Sequence, residues 1–119
     1  DQENNEKVIE ILLKHKANVN EKDRYGDTPL HYACKIENNE KTLELLLKHK
    51  ANMNEKNDMG YTPLHIACQL ENNEKAIELL LKLKAHVNEK DEDGETPLHL
   101  LAALKYNQQL WYSFFKHNA

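Results

Sequence analysis

The sequence predicts an all-α solenoid of stacked helix–turn–helix units with projecting β-turn loops, and three observations carry that prediction. Glu3-Asn4-Asn5-Glu6-Lys7 recurs at Glu37-Asn38-Asn39-Glu40-Lys41 and at Glu71-Asn72-Asn73-Glu74-Lys75, a period of 34 residues. Thr28-Pro29-Leu30-His31, Thr62-Pro63-Leu64-His65 and Thr96-Pro97-Leu98-His99 keep the same spacing, as do Gly26, Gly60 and Gly94. Between these landmarks lie leucine-rich stretches long enough for a helix.

The chain opens on a helical stretch from about Asn4 to His15, the second helix of a partial unit spanning residues 1–22. Asp23-Arg24-Tyr25-Gly26 then forms a turn, where glycine supplies a backbone conformation that branched residues resist. Thr28 stands where an N-cap oxygen is needed. Pro29 follows at the first helical position, where its missing N–H costs nothing, and the helix it starts is expected to run to about Ile36. Asn38-Asn39 break that helix and are placed to cap the next, which carries Leu43, Leu45, Leu46 and Leu47 and ends near Lys50. Ala51-Asn52-Met53-Asn54-Glu55-Lys56 is extended and leads into the next turn. Complete units therefore span 23–56 and 57–90. A divergent terminal unit spans 91–119 and turns aromatic at Trp111, Tyr112, Phe114 and Phe115. The first unit lacks a turn and first helix, as a chain taken from a longer array would.

A lone helix pair of this size buries too little apolar surface to offset roughly 1–2 kcal/mol of backbone entropy per residue. Stacking supplies the rest, and second helices in which little but Glu44 and Lys48 is left for water fit contact with neighbours on both sides.

Thr-Pro-Leu-His-x-Ala, standing here as Thr28 to Ala33 and Thr62 to Ala67, resembles the signature of ankyrin repeats. The likeness extends through the glycine turn, the leucine cluster and the Ala-Asn-x-Asn loop, and so covers nearly the whole chain. It implies a non-catalytic, protein-binding module, a scaffold or adaptor, that holds a protein partner across turn tips and the concave helix face. Three features depart from the family pattern. The family unit has about 33 residues, and the extra residue here lies in the inter-helix turn beside Glu37. The family's glycine after the second helix is replaced by Lys16, Lys50 and Lys84, at roughly 1–2 kcal/mol each if left-handed geometry is kept. Leu101 replaces the small alanine of Ala33 and Ala67.

Composition narrows function further. Net charge is −4 and Arg24 is the sole arginine, which argues against a nucleic-acid groove. Glutamates such as Glu44 and Glu78 interrupt every leucine cluster, so no apolar run approaches the roughly 20 residues of a membrane span. His31, His65 and His99 recur in register, but equivalent positions in stacked helices lie roughly 8–10 Å apart, too far to share one zinc at about 2 Å. The resemblance instead implies that each hydrogen-bonds within the turns joining repeats. Cys34 and Cys68 are one repeat apart, beyond disulfide reach, and are expected as reduced core residues in an intracellular protein, cytoplasmic or nuclear. Ser113 is the only serine and has no ordered base, and no glycine-rich phosphate loop is present. Neither a catalytic residue nor a cofactor is expected.

Carried over from the family, the partner-binding positions are Arg24, Tyr25, Asp27, Lys35 and Ile36 in the first complete unit, and Asp58, Met59, Tyr61, Gln69 and Leu70 in the next. Glu92, Asp93 and Glu95 follow in the last unit, with Ala103 and Leu104 on its first helix. Tyr25, Met59 and Tyr61 are the expected anchors, and Asp58, Glu92, Asp93 and Glu95 an acidic flank suited to a partner with a basic segment. An alternative reading buries Ile36, Leu70 and Leu104 under the lengthened turn and leaves the tips as plain solvated turns. Two other functions are compatible with the sequence: a regulatory ankyrin segment of a larger enzyme or channel, or a host-directed effector of a parasite or virus. Some ankyrin repeats are hydroxylated on the asparagine matching Asn20, Asn54 and Asn88, with leucine eight residues before it. Here the acidic residue of that pattern is replaced by Asn18, Asn52 and His86.

Overall fold

Threonine–proline pairs set the starts of the first helices. The computed structural model describes residues 2–36, 39–71 and 73–104, with side chains from residue 4 onward. Its helices are α1 (Gln2–Lys14), α2 (Pro29–Ala33), α3 (Glu40–Lys48), α4 (Pro63–Ala67) and α5 (Glu74–Lys82), and residues 97–104 are helical as well. At α2 and α4 the extended Thr28 and Thr62 accept hydrogen bonds from the N–H groups of His31 and His65, and each histidine ring returns to the cap N–H. That reciprocal arrangement satisfies two donors a helix start leaves over.

These first helices end at Ala33 and Ala67, short of the run to Ile36 expected from sequence. Lys35 N–H reaches back to Tyr32 O and Ile36 N–H to Ala33 O, so the ladder tightens into i→i−3 bonds over the last turn. The asparagines beyond it also act differently from expectation. Asn39 and Asn73 precede α3 and α5 without a side-chain bond to those helices. Their amides turn backwards instead, Asn39 donating to Ala33 O at 3.2 Å and Asn73 to Ala67 O at 3.3 Å. Both are buried and clamp the exit of one helix to the entry of the next. Glu37, where the extra residue of the repeat was placed, lies outside the described residues, as does the aromatic stretch of Trp111, Tyr112, Phe114 and Phe115.

The second helices end in Schellman geometry. Ala17, Ala51 and Ala85 donate their N–H groups to Leu12, Leu46 and Leu80, and the lysine before each donates three residues back. Those lysines, Lys16, Lys50 and Lys84, hold φ of 67°, 70° and 69°, a conformation in which a Cβ crowds the carbonyl. Lys50→Gly is expected to raise stability by roughly 0.5–1 kcal/mol, the steric relief of about 1–2 kcal/mol offset by the freer unfolded chain. A urea titration would show a higher midpoint at unchanged slope. A lower midpoint would mean that the lysine stem contributes more than its backbone costs.

The first helices stack on each other, α2 on α4, and the second helices form a row, α1 on α3 on α5. Leu30, Leu43, Leu80 and Cys34 are fully buried at the junctions, and Ala33 and Ala67 leave room for that approach. Leu101, at the position of those alanines, is half-buried and packs on the edge of the same core. The expectation of leucines covered on both sides holds best for α3. On α1, Val8, Ile11 and Leu12 are exposed, as is Leu81 on α5. Cys34 and Cys68 are buried free thiols. Burial pushes their pKa values up to about 12 and about 11, so neither is poised to ionise.

Side-chain ties along the loops bind neighbouring units. Asn20 accepts from Asn52 N–H at 2.7 Å and donates to Lys50 O, and Asn54 accepts from His86 N–H at 2.8 Å. Lys22 donates to Lys56 O and pairs with Glu55 at 2.8 Å, while Lys56 repeats the arrangement on Lys90 O and Glu89. The lysines before the turns thus latch one repeat to the next.

Candidate functional site

Each turn tip is organised by one side chain at its start. The Oδ1 of Asp23 accepts from the N–H groups of Tyr25 and Asp27, Asn57 does the same for Met59 and Tyr61, and Asp91 for Asp93 and Glu95. Gly26, Gly60 and Gly94 complete the turns at φ of 77°, 78° and 79°. The tips are then coupled sideways: Asp58 N–H donates to Tyr25 O at 3.0 Å and Glu92 N–H to Met59 O at 3.1 Å. This backbone ladder holds the tips in fixed register. The side chains between its rungs are free to project.

Beneath each tip the capping histidine carries the coupling inward. His31 Nε2 donates to Tyr61 O at 2.8 Å and His65 Nε2 to Glu95 O at 2.9 Å, so each imidazole ties its helix to the turn of the following unit. Both rings are fully buried. Burial holds His31 below the usual histidine pKa, against the hydrogen bond to Tyr61 and the charge of Asp27. His99 keeps the local contact with Thr96 at 2.8 Å.

Most of the expected binding residues meet in one groove of about 600 Å³ between the first two tips and the first helices behind them. Tyr25, Lys35, Asp58, Met59, Gln69 and Leu70 line it, with Tyr61. Tyr25 is 54% exposed and Met59 52%. Tyr61 is only half-exposed, its ring tilted against His65 at 5.7 Å and its edge on the core, so it is part wall and part structure. Asp27 lines the same groove but is almost covered. It is 5% exposed, with Oδ1 accepting from Asn57 at 2.9 Å and Oδ2 paired to Lys35 at 3.3 Å, which places it inside the stack.

Glu92, Asp93 and Glu95 stand beyond the groove on the third tip, Glu95 half-buried and the other two exposed. Their charges, with that of Asp91, assist desolvation in raising the Tyr61 pKa, so the groove's far end is anionic. Arg24 lies at the opposite end, its guanidinium 4.8 Å from the centre of the Tyr25 ring and bonded to Tyr25 Oη at 2.7 Å. Ile36, 54% exposed, faces elsewhere. With Leu12, Leu13 and Val19 it lines a second groove of about 680 Å³ between α1 and α2, on the stacking side of the helices. Leu70 and Leu104 are half-buried, and Ala103 is exposed.

Three groove residues escaped the sequence reading. Tyr32 occupies the variable position of the Thr-Pro-Leu-His-x-Ala motif, where Ile66 stands in the next unit; both line the groove. Tyr32 Oη donates to Asp23 Oδ2, which pushes the phenol up to about 12 and holds the Asp23 carboxyl low. Lys35 Nζ lies 4.5 Å from the centre of the same ring. The available signal was a tyrosine following the motif's histidine. Asn57, the third, organises the second tip through its Oδ1.

Among the described residues no three His, Cys, Asp or Glu side chains are grouped to hold a metal ion, and no helix is long and apolar enough to cross a membrane. A family model of ankyrin repeats matches residues 2–91 in three copies. No curated protein matches the chain.

Proposed function

Because the chain belongs to the ankyrin-repeat family, whose repeats generally serve as protein–protein interaction modules, we propose that it is a non-catalytic scaffold or adaptor that binds a protein partner through the turn-tip groove. The observation that carries the proposal is the division of labour at the tips. Backbone hydrogen bonds and buried histidines fix their positions, while Tyr25 and Met59 stay more than half exposed over a groove of about 600 Å³. Exposed aromatic and methionine side chains on a rigid frame lose little freedom on contact, which favours binding. The acidic third tip supports a partner with a basic segment. Two buried thiols support an intracellular setting, cytoplasmic or nuclear.

The partner is to be captured by photo-crosslinking from a residue analogue at position 59 and identified by mass spectrometry. Tyr25→Ala with Met59→Ala is then expected to weaken its binding by at least about 2 kcal/mol, about thirty-fold. Unfolding is expected to shift by no more than about 0.5 kcal/mol, because both side chains lie at the surface. Affinity unchanged by the pair would mean that the partner uses another face, and a large loss of stability would make the two residues structural.

A further inference from the structure

The two ends of the described stack expose opposite sides of the same junction, and positions one repeat apart show it. Leu12 on α1 is 54% exposed, whereas its counterparts Leu46 on α3 and Leu80 on α5 are 4% and 0% exposed. Val8 is exposed where Thr42 and Ala76 are buried, and Tyr32 where Ile66 is buried. What this leading end lacks is a first helix packed on α1 and stacked on α2, as α2 packs on α3 and stacks on α4. The groove of about 680 Å³ between α1 and α2 lies where that helix would be. At the trailing end the exposure is reversed. Residues 97–104 form a first helix of the kind missing in front, and its Leu98 is 71% exposed where Leu30 and Leu64 are 0% and 2% exposed. His99 is exposed where His31 and His65 are buried, and Leu81 on α5 is exposed where Leu13 on α1 is buried.

The ties that join units are open at the same two ends, donor at one and acceptor at the other. Lys22 pairs with Glu55 and Lys56 with Glu89, while Lys90 and Glu21, next in each row, are exposed and in no ion pair among the described residues. Asp58 N–H reaches Tyr25 O and Glu92 N–H reaches Met59 O, which leaves Arg24 N–H and Asp93 O as the unused ends of the tip ladder. His31 and His65 donate to Tyr61 O and Glu95 O. The next members of those rows are His99 Nε2 and Asp27 O.

We infer that copies of the chain stack head to tail, residues 97–104 of one copy entering the groove between α1 and α2 of the next. The shared unit takes its tip and first helix from one copy and its second helix, α1, from the other. It covers Leu98 and Leu12 together and adds one tie of each kind: Lys90 to Glu21, Arg24 N–H to Asp93 O, and His99 Nε2 to Asp27 O. The two surfaces differ, so the contact does not close on itself and copies add one after another.

The test is sedimentation equilibrium of the full chain from roughly 10 to 500 µM, the span in which micromolar to millimolar affinities show. Average mass is expected to rise steadily with concentration, past twice that of one chain. Leu12→Glu and Leu98→Glu each disable one end, and since both side chains are more than half exposed, the unfolding midpoint is expected to hold. Each variant alone is expected to stay monomeric. Mixed in equal amounts they are expected to form a one-to-one pair and nothing larger, because one keeps its trailing end and the other its leading end. Lys90→Glu is expected to weaken association by roughly threefold, and Lys90→Glu with Glu21→Lys to restore it. A chain monomeric at every concentration would overturn the inference; coverage of Leu98 by residues 105–119 of the same chain, or by a different protein alone, gives that result. Association that survives Leu98→Glu would overturn it too, since a symmetric dimer through the leading ends behaves in that way, and so would a mixture of the two variants that fails to pair.

Discussion

Gly60→Ala is expected to destabilise the chain by about 3 kcal/mol, and Gly94→Ala by only about 1 kcal/mol, although the two glycines have the same φ within a degree, 78° and 79°. The shared backbone conformation costs a Cβ-bearing residue roughly 1–2 kcal/mol, less when a small residue relaxes within the turn. The remainder comes from the neighbouring tip. A Cβ on Gly60 would stand 2.7 Å from Glu92 N and 2.9 Å from Asp91 Cα, both backbone atoms, while a Cβ on Gly94 meets nothing within 4 Å among the described residues. Glu92 N–H is the donor to Met59 O, so the added methyl group pushes against a rung of the ladder itself. Urea unfolding of the two variants would measure the difference, a large one against a typical total of about 5–15 kcal/mol. Equal costs would mean that the tips move apart freely, and the rigid frame proposed for binding would be lost with them.

How much of this was legible in the sequence follows from which residues repeat. The helices, turns and stacked order could be read because each depends on a residue type with a fixed backbone role at a fixed interval: Thr28 as cap, Pro29 at the helix start, Gly26 in the turn. The capping histidines were also legible as turn-joining groups, once the resemblance was recognised. Directions were less visible. Asn39 reads as a helix cap from composition, yet its amide turns back to Ala33 O, which the shortened first helix otherwise leaves with only a 3.4 Å bond from Ile36 N–H. Asp27 reads as a projecting charge, yet Asn57 and Lys35 enclose it, and Asn57 belongs to the next repeat. A contact made across the period cannot be inferred from one unit. Tyr32 is hidden for a different reason: its position varies between units, so the period does not mark it, although its bond to Asp23 lies within one unit. Ile36 sits beside Lys35 in sequence but lines the other groove, since the tightened last turn of α2 swings the two side chains apart.

The buried imidazole of His31 gives the other large expected effect. Thr28 N–H donates to Nδ1 at 3.0 Å, so Nδ1 must accept, and Tyr61 O can only accept, so Nε2 must carry the proton. The neutral Nε2–H tautomer satisfies both ends. A second proton on Nδ1 would face the Thr28 N–H donor and break the cap. His31→Ala leaves Thr28 N–H and Tyr61 O without their partner in a site 0% exposed, and is expected to cost about 3 kcal/mol. His31→Gln keeps a polar group at the capping-box position but cannot bridge to Tyr61, and is expected to cost about 2 kcal/mol. The same geometry fixes the sign of the pH dependence. Because burial lowers the folded-state pKa of His31 from 6.5, the unfolded chain takes up this proton more readily than the folded chain does. The contribution of His31 is therefore complete above about pH 6.5 and is lost as the pH falls through the folded-state value. Asp23 and Glu55, whose carboxyls are held low, lose their contributions in a separate, more acidic window, and they do so in both proteins. Unfolding free energies of the unmodified chain and His31→Gln, measured across this range, are thus expected to converge as the pH drops below 6.5. A gap that stays constant down to the carboxylate range would show that the imidazole accepts its second proton without leaving the cap, and that the neutral tautomer is not what joins the repeats.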